Sequence, residues 1–321
     1  MQHNSLSYPT LLQRLTIDSK DDGNKFTICN RVNEIKRLLQ SSNYRLIHEG
    51  PLSLIYTRQT DPTEWNTLIS SHIDCVYQNC FMEEAGDCWK GTFDNSATNA
   101  VIIDLMLRDE LNNDVVIAFT GDEEIHSGGA VEVMNVLHKD KVHLALGIIL
   151  DVTEEGWEDE AAFSIENDRG FDILTGYHII QLLQSSEQPC TLVHQAEPDE
   201  TWDYGKGIEG TFPPLPCLSL CLPASGELHG EKGVLIRKAS PMQNDLPDMI
   251  PQTYIETAEY DCLHDEGVLY AERLREAGAN VDLNETKGTF HGYDSAIQTQ
   301  IARTQIAKRI TFLKKCFSCE K

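Results

Sequence analysis

Short apolar runs alternate with longer amphipathic stretches along most of this chain of 321 residues. Residues 26–40 repeat apolar side chains at helical spacing, as Val32, Ile35 and Leu39 illustrate. Residues 115–120 form a continuous apolar run, which is typical of a strand buried on both faces. The pattern therefore predicts a packed domain in which strands and helices take turns.

Further strands are predicted where four to seven apolar residues stand between polar or turn residues, and further helices where the amphipathic stretch is longer. The predicted strands span residues 52–57, 67–71, 144–150, 161–165, 190–193 and 217–222. The predicted helices span residues 95–107, 128–137 and 171–183. This alternation predicts the α/β class, with a mixed, mostly parallel sheet flanked by helices.

The chain is strongly acidic, with 51 Asp and Glu against 26 Lys and Arg and a formal net charge of −25. Residues 241–321 hold 9 basic and 13 acidic side chains, so a net charge of −21 belongs to the first 240 residues. Such a molecule repels nucleic acid and anionic membranes, and we expect neither as a partner. The charge is either an ordinary solvated surface or a field that favours cationic ligands and divalent metals.

Three observations favour the cytoplasm. No run of about 18 apolar residues is present, and the first five residues lack a charged start followed by an apolar core, so we expect no membrane span and no signal peptide. The ten cysteines are scattered, and several lie inside apolar runs, which is typical of buried, reduced thiols.

Metal-type side chains follow three of the predicted strands at the point where each strand ends. In chain order they are His72 and Asp74, then Glu123 and Glu124, then Asp151. In open α/β sheets the ligand crevice lies at the carboxyl ends of the strands, so these side chains are expected at one edge. In a His-x-Asp pair on an extended segment, the carboxylate can orient the imidazole for metal binding.

Taken singly, these residues have ordinary structural interpretations. His72 can be a hydrogen-bonded, partly buried histidine, Asp94 can be a helix N-cap, and paired glutamates are favourable at a helix N-terminus. Their order along the chain favours a metal centre instead. The stretches in question are Ser-His-Ile-Asp at 71–74, Gly-Thr-Phe-Asp-Asn at 91–95, Gly-Asp-Glu-Glu at 121–124, Leu-Asp-Val at 150–152 and Leu-His-Gly-Glu at 228–231.

With these motifs, and with Ser-Gly-Gly-Ala at 127–130, residues 8–239 resemble the co-catalytic zinc exopeptidases. That superfamily includes aminopeptidases, glutamate-carboxypeptidase-type enzymes and related amide deacylases. The resemblance implies that His72 and Asp151 complete one metal site, that Glu124 and His229 complete the other, and that Asp94 bridges them. It further implies that Glu123 is the general base, that Asp74 orients His72, and that the Asp94–Asn95 peptide is cis.

The chemistry implied by the resemblance is that of a zinc-dependent metallopeptidase or amidohydrolase. Two divalent ions, zinc in the first place and cobalt or manganese as alternatives, lower the pKa of a bridging water and polarise the scissile carbonyl. Glu123 takes the water proton and passes it to the leaving amine. The substrate is a peptide or an acyl-amino acid, with an aminopeptidase-like activity favoured, and a homo-oligomer is compatible with the family.

The spacing of the motifs leaves little room for an inserted domain. Only 21 residues separate His72 from Asp94, and 77 separate Asp151 from His229. The second gap is just long enough for core strands and helices, so we predict no full satellite domain.

The pattern changes near residue 240. A strand over 250–261, a helix over 265–277, a strand over 281–285 and a helix over 297–317 are predicted in turn. This segment resembles the C-terminal part of an α/β-hydrolase esterase of the hormone-sensitive-lipase type. Asp261 and His291 match the acid and base of that family's Ser-His-Asp triad.

No Gly-x-Ser-x-Gly nucleophile motif and no His-Gly-Gly motif occur in the sequence. An acid and a base without a nucleophile do not make an esterase, so we expect Asp261 and His291 to be a remnant. We predict a catalytic domain over 1–239 and an incomplete α/β-hydrolase-like segment over 240–321, which docks on the first domain, pairs with another chain or is poorly ordered. The alternative functions are a metal-binding protein with impaired catalysis and a serine esterase remnant.

Overall fold

The structure is a computed structural model, and it divides into two compact units, Met1–Arg237 and Lys238–Lys321. It describes residues 6–18, 29–59, 65–77, 79–185, 188–193, 196, 199–206, 214–238, 246, 249–261 and 263–318. The change of pattern near residue 240 falls outside these ranges. Assignment of 1–239 as the catalytic domain and of 240–321 as an incomplete segment stays a prediction.

The first unit alternates helices and strands, as its hydrophobic pattern predicts. Its helices are α1 (Tyr8–Leu15), α2 (Cys29–Leu39), α3 (Ser96–Arg108), α4 (Gly128–Lys139), α5 (Ile173–Gln184) and α6 (Thr201–Lys206). Its strands are β1 (Arg45–Glu49), β2 (Ser53–Thr57), β3 (Trp65–His72), β4 (Met82–Ala85), β5 (Cys88–Gly91), β6 (Val115–Thr120), β7 (His143–Thr153), β8 (Phe163–Arg169), β9 (Cys190–Val193), β10 (Cys217–Ser225) and β11 (Val234–Arg237).

These strands form a mixed sheet in the order β1-β2-β6-β3-β7-β10-β11-β5-β4, with β8 paired to β10 and β9 paired to β8. The four central strands β6, β3, β7 and β10 run parallel to one another. Their carboxyl ends therefore share one edge of the sheet. The predicted fold class is confirmed.

Helices cover both faces of this sheet. Helices α1, α2 and α3 pack on one face through a cluster that includes Leu11, Ile35 and Ile103. Helices α4 and α6 pack on the other face through Val133 and Tyr204. Strand β6 is buried at every residue, as its continuous apolar run predicts. Within the described residues of the first unit, no separate satellite domain is present.

The second unit contains β12 (Thr253–Tyr260), α7 (His264–Glu276), β13 (Val281–Phe290) and α8 (Gln300–Ser318). The two strands pair in parallel, and α7 connects them. Its small core is built on Ala271, Leu274 and Val281. The predicted order of elements is confirmed, although β13 runs five residues beyond the predicted end at 285. Across both units, no described helix has the length and apolarity needed to cross a membrane.

Candidate metal centre

The carboxyl edge of the central strands brings the predicted side chains together. His72 is the last residue of β3, and it lies in register with Thr120, the last residue of β6. Glu123 follows β6 after two further residues, and Asp151 lies near the end of β7. Parallel strands of similar length end at the same edge, which is why separate segments meet here.

Two sets of three donors form at this edge. In the first set, His72 Nε2 lies 3.0 Å from Asp94 Oδ1 and 3.4 Å from Asp151 Oδ1. In the second set, His229 Nε2 lies 3.3 Å from Asp94 Oδ2 and 3.6 Å from Glu124 Oε2. Within each set the donor atoms all lie within 4.8 Å of one another. Asp94 therefore contributes one oxygen to each set.

Asp94 is held in place by the residue that follows it. The Asn95 side-chain amide donates to Ser71 Oγ at 3.1 Å and to the Leu150 carbonyl at 2.8 Å. These contacts tie the start of α3 to the ends of β3 and β7. The Asp94–Asn95 peptide is cis, as the resemblance implies.

A close backbone approach shapes the loop that carries the glutamates. The Gly129 amide donates to the Gly121 carbonyl at 3.0 Å. A Cβ on Gly129 would lie 2.6 Å from Gly121 O and 2.7 Å from Gly121 N, so only glycine fits. This approach docks the start of α4 against the end of β6, and residues 122–127 become a loop. The Glu124 amide donates to Asp74 Oδ2 at 3.3 Å.

Asp74 also lies beside the first ligand. His72 Nδ1 and Asp74 Oδ1 are 3.4 Å apart, and both side chains are buried, with exposures of 3% and 0%. This distance is longer than that of a typical hydrogen bond, but the two atoms are close enough to interact electrostatically. Orientation of His72 by Asp74 remains a prediction.

His229 is the most exposed of the predicted ligands, at 59% of its side chain. It stands in the connection between β10 and β11. The preceding Leu228 anchors this connection, because its amide donates to Glu154 Oε1 at 3.1 Å and its carbonyl accepts from the Tyr77 hydroxyl. The centre is thus open to solvent on the His229 side.

The carboxyl groups at this edge interact strongly. Burial raises the pKa of Glu123 to about 9 and that of Glu124 to about 8, and the Asp94 carboxylate adds to both shifts. Burial also raises the pKa of Asp151. Burial would raise the pKa of Asp94 as well, but the His229 and His72 side chains outweigh it and lower that pKa below its ordinary value. Several carboxyl groups that repel one another are thus buried close together. Bound cations would relieve this repulsion.

The donor chemistry fits two divalent ions that share Asp94. Imidazole nitrogen and carboxylate oxygen are ordinary zinc ligands, and each set offers three of them. Glu124 Oε1 is buried and has no hydrogen-bond partner among the described residues. An orphaned buried oxygen of this kind is costly unless something else satisfies it.

The predicted acid and base of the second unit also meet. His291 Nδ1 lies 2.9 Å from Asp261 Oδ2, and the Leu263 amide donates to Asp261 Oδ1 at 2.9 Å. The His291 side chain is 65% exposed. The pair is thus formed on a solvated surface.

Two acidic residues near the metal centre were missed by the sequence analysis. Asp199 and Glu200 immediately precede the short helix α6, and they have electrostatic effects on Asp151 and on Glu123. No apolar run leads directly into them, so nothing indicated a strand end. The available signal was the adjacent carboxylate pair itself.

One family match spans the end of the first unit and most of the second. A family model described as alpha/beta hydrolase fold matches residues 228–295. Neutral cholesterol ester hydrolase 1 of Mus musculus is 45% identical over 56 residues, which are 17% of this chain and 14% of that protein. Arylacetamide deacetylase of Bos taurus is 35% identical over 83 residues, which are 25% of this chain and 21% of that protein. The chain thus spans a small part of the length of these relatives.

Solved structures match most of the chain. A TET aminopeptidase from a marine sediment Thaumarchaeota archaeon has a TM-score of 0.58 at 10% identity, over 72% of this chain and 91% of that chain. The TET1 peptidase of Pyrococcus horikoshii, which can assemble into a tetrahedron or a large octahedral shell, has a TM-score of 0.52 at 11% identity, over 72% and 94%. An aminopeptidase of Desulfurococcus kamchatkensis gives 0.52 at 12%, over 72% and 90%. The fold is that of these aminopeptidases, and both predicted resemblances are confirmed.

Proposed function

We propose that this chain is a metal-dependent hydrolase that cleaves a peptide or amide bond in an aminopeptidase-like manner. The observation that carries the proposal is the sharing of Asp94 between two sets of three donors. The set of His72 and Asp151 would hold one divalent ion, and the set of Glu124 and His229 would hold the other. The aminopeptidase fold of the structural neighbours supports this assignment.

Divalent ions held by these two sets of donors would polarise the scissile carbonyl and lower the pKa of the attacking water. Glu123 is the group left to move protons, because it lies beside His72 and Asp151 without belonging to either donor set. Its carboxylate accepts a proton from the attacking water and delivers it to the amine that leaves. Asp74 keeps the His72 ring oriented toward the shared edge.

The charge of the chain supports substrates with a free amino terminus. The first 240 residues carry a net charge of −21, and the centre opens to solvent beside His229. An acidic surface raises the local concentration of a cationic ligand. An ammonium group therefore suits this site better than the free carboxylate of an acyl-amino acid.

The test is metal content and turnover on the full chain. Mass spectrometry of the purified protein should find about two divalent ions per chain, and Asp94→Ala should lose most of both because each set loses a donor. Aminoacyl amides should be hydrolysed, and a chelator should stop the reaction. Failure of the wild-type chain to bind zinc, cobalt or manganese on reconstitution would remove the proposal.

The same measurements distinguish the proposed hydrolase from the two alternative functions. A chain that binds two ions but turns over neither aminoacyl amides nor acyl-amino acids would be a metal-binding protein with impaired catalysis. Labelling by a serine-directed fluorophosphonate would instead favour an esterase activity of the Asp261–His291 pair.

We further propose that the chain self-associates and that it is located in the cytoplasm. Self-association is suggested by the assembly of the TET1 peptidase, and light scattering on the purified chain would measure it. A cytoplasmic location is proposed from the scattered cysteines, several of which lie inside apolar runs, as is typical of buried, reduced thiols.

A further inference from the structure

A buried carboxyl lies directly beneath the metal centre. Glu200 is 1% exposed and stands just before α6. Ser70 Oγ donates to Glu200 Oε2 at 2.8 Å and shares a second hydrogen bond of 2.9 Å with the Tyr204 hydroxyl. Burying a carboxyl group in this way costs free energy that an apolar side chain of similar size would not cost. Packing alone therefore does not explain why a glutamate stands at position 200.

The contacts of Glu200 point to the strand ends. Ser70 lies two residues before His72 on β3, and alternate residues of a strand face the same side. Thr120 lies three residues before Glu123, and its hydroxyl lies close enough to the Glu200 carboxyl to counteract the effect of burial on it. The Glu200 carboxyl therefore contacts the strand that delivers a proposed metal ligand, and it lies near the end of the strand that leads to the proposed base.

The neighbouring residue makes the equivalent contact on the other side. Ser219 Oγ on β10 donates to Asp199 Oδ2. Ser219 lies in register with Ile149 on β7, two residues before Asp151. The dipeptide Asp199–Glu200 thus reaches the row of hydroxyls one layer below the ligands, on both sides of β7.

We propose that Glu200 is a positioning residue of the metal centre. Its carboxyl accepts from Ser70 Oγ and so fixes the end of β3, from which His72 enters the centre. Partners behind metal ligands typically change metal affinity or activity by about 10- to 100-fold when they are removed. This inference rests on the proposed function, because it assigns Glu200 a role only if the edge binds metal.

The test is a zinc titration of the full chain against a competing chromophoric chelator. Glu200→Ala should weaken zinc binding by about 10- to 100-fold and lower kcat while KM stays near the wild-type value. Glu200→Gln keeps an oxygen that accepts from Ser70, so it should restore most of that affinity. Glu200→Leu fills much of the same space but cannot accept from Ser70, so it should bind zinc as weakly as Glu200→Ala; recovery in Glu200→Leu would mean that only packing matters.

A matched control exists on a strand without ligands. Glu132 accepts a hydrogen bond of 2.6 Å from Ser53 Oγ on β2. Glu132→Ala also removes a carboxyl that accepts from a serine, and it should leave zinc affinity unchanged. Equal zinc affinity in Glu200→Ala and the wild type, or an equal loss in Glu132→Ala and Glu200→Ala, would overturn the inference.

Ser70→Ala serves if Glu200→Ala does not fold, because it removes the contact and leaves the carboxyl in place. Weakened zinc binding is then expected, and unchanged binding would contradict the positioning role. If the wild-type chain itself did not bind zinc, the proposed function would be wrong. The two failures are therefore distinguishable.

Discussion

The first unit buries most of its candidate metal donors at the meeting point of several strands, whereas the second unit carries its candidate histidine on the surface. The proposed donors of the metal centre are His72, Asp94, Glu124, Asp151 and His229, from five separate stretches of the chain. In the second unit Asp261 follows β12, His291 follows β13, and the His291 side chain is 65% exposed.

Burial accounts for much of the difference in electrostatics. In the metal centre it raises the pKa of Glu123 to about 9, so the surroundings favour a proton or a cation there. Because the His291 side chain is exposed, water screens its contact with Asp261, and a surface pair of this kind contributes about 0–1 kcal/mol. A matching pair of residues is therefore not a site unless the fold also encloses it and supplies the remaining groups.

Removal of the proposed base is expected to have the largest effect. Glu123→Gln keeps the size of the side chain but cannot accept a proton, so kcat for an aminoacyl amide should fall by about 10²- to 10⁴-fold. The metal content should stay near two ions per chain. Kinetic assays beside metal analysis would check both.

Glu155→Gln is the control for that substitution, since Glu155 is an exposed carboxyl beyond β7 and belongs to neither donor set. Its kcat should match the wild type. If Glu123→Gln retained most of the activity, Glu123 would not be the general base.

The glycine that closes the glutamate loop should be next in effect. Gly129→Ala places a Cβ against the Gly121 backbone, and overpacking of this kind costs about 1–3 kcal/mol. All four tryptophans lie before residue 238, so tryptophan fluorescence in urea reports the first unit. Gly176→Ala in α5, where the nearest atom outside the helix is 3.4 Å away, should not destabilise it. Equal stability of the two variants would contradict the close approach.

Acid should weaken the second unit through one carboxylate. Burial by itself would raise the pKa of Glu256, but hydrogen bonds from Arg309, Tyr293 and Tyr254 outweigh it and lower the pKa to about 2. Because the folded pKa lies below the ordinary value of 4.5, the stabilisation is full above about pH 5 and is lost as the pH falls toward 2.

Hydrogen exchange of β12 and β13 would measure this effect. At pH 6, Glu256→Gln should lower the local stability by about 1–3 kcal/mol relative to the wild type. At pH 3 the difference should narrow, because the Glu256 carboxyl of the unfolded chain, with its ordinary pKa of 4.5, then binds a proton that the folded chain largely does not. Comparison at the same pH cancels the intrinsic exchange rates, and an equal difference at both values would contradict the assignment.

The smallest effect is expected at the exposed pair. His291→Ala should leave the hydrolysis of aminoacyl amides within about twofold of the wild type, since surface substitutions are usually within 0.5 kcal/mol. The same assay run beside Glu123→Gln provides the contrast between the units. A large loss in His291→Ala would mean that the second unit takes part in the reaction.

The elements that were predicted differ from those that were missed in how their burial is distributed. Strand β6 is apolar at nearly every position and helix α3 is rich in alanine and isoleucine, so both could be located from pattern alone. The hairpin of β4 and β5 was not predicted, because β4 is the four-residue edge of the sheet and alternates little between apolar and polar residues. Edge strands have one hydrogen-bonding partner and need less apolar surface.

The metal centre was likewise predicted only in part. Donor types, their order and their placement after apolar strands were legible in the chain, because parallel strands end at a common edge. The division of the donors into two sets that share Asp94 had been implied only by family resemblance, and in the structure it depends on distances between segments that are far apart in the chain.

Residue type and order alone were enough to determine the α/β class, the strand ends and the candidate donors, because these follow from hydrophobic periodicity and from side-chain chemistry. Tertiary packing decided which residues support the donors and how strongly they interact. Glu200 lies beneath His72 only because α6 packs on the sheet there, and burial raises its pKa to about 7. No local pattern carries that information, since burial and distance are properties of the folded chain.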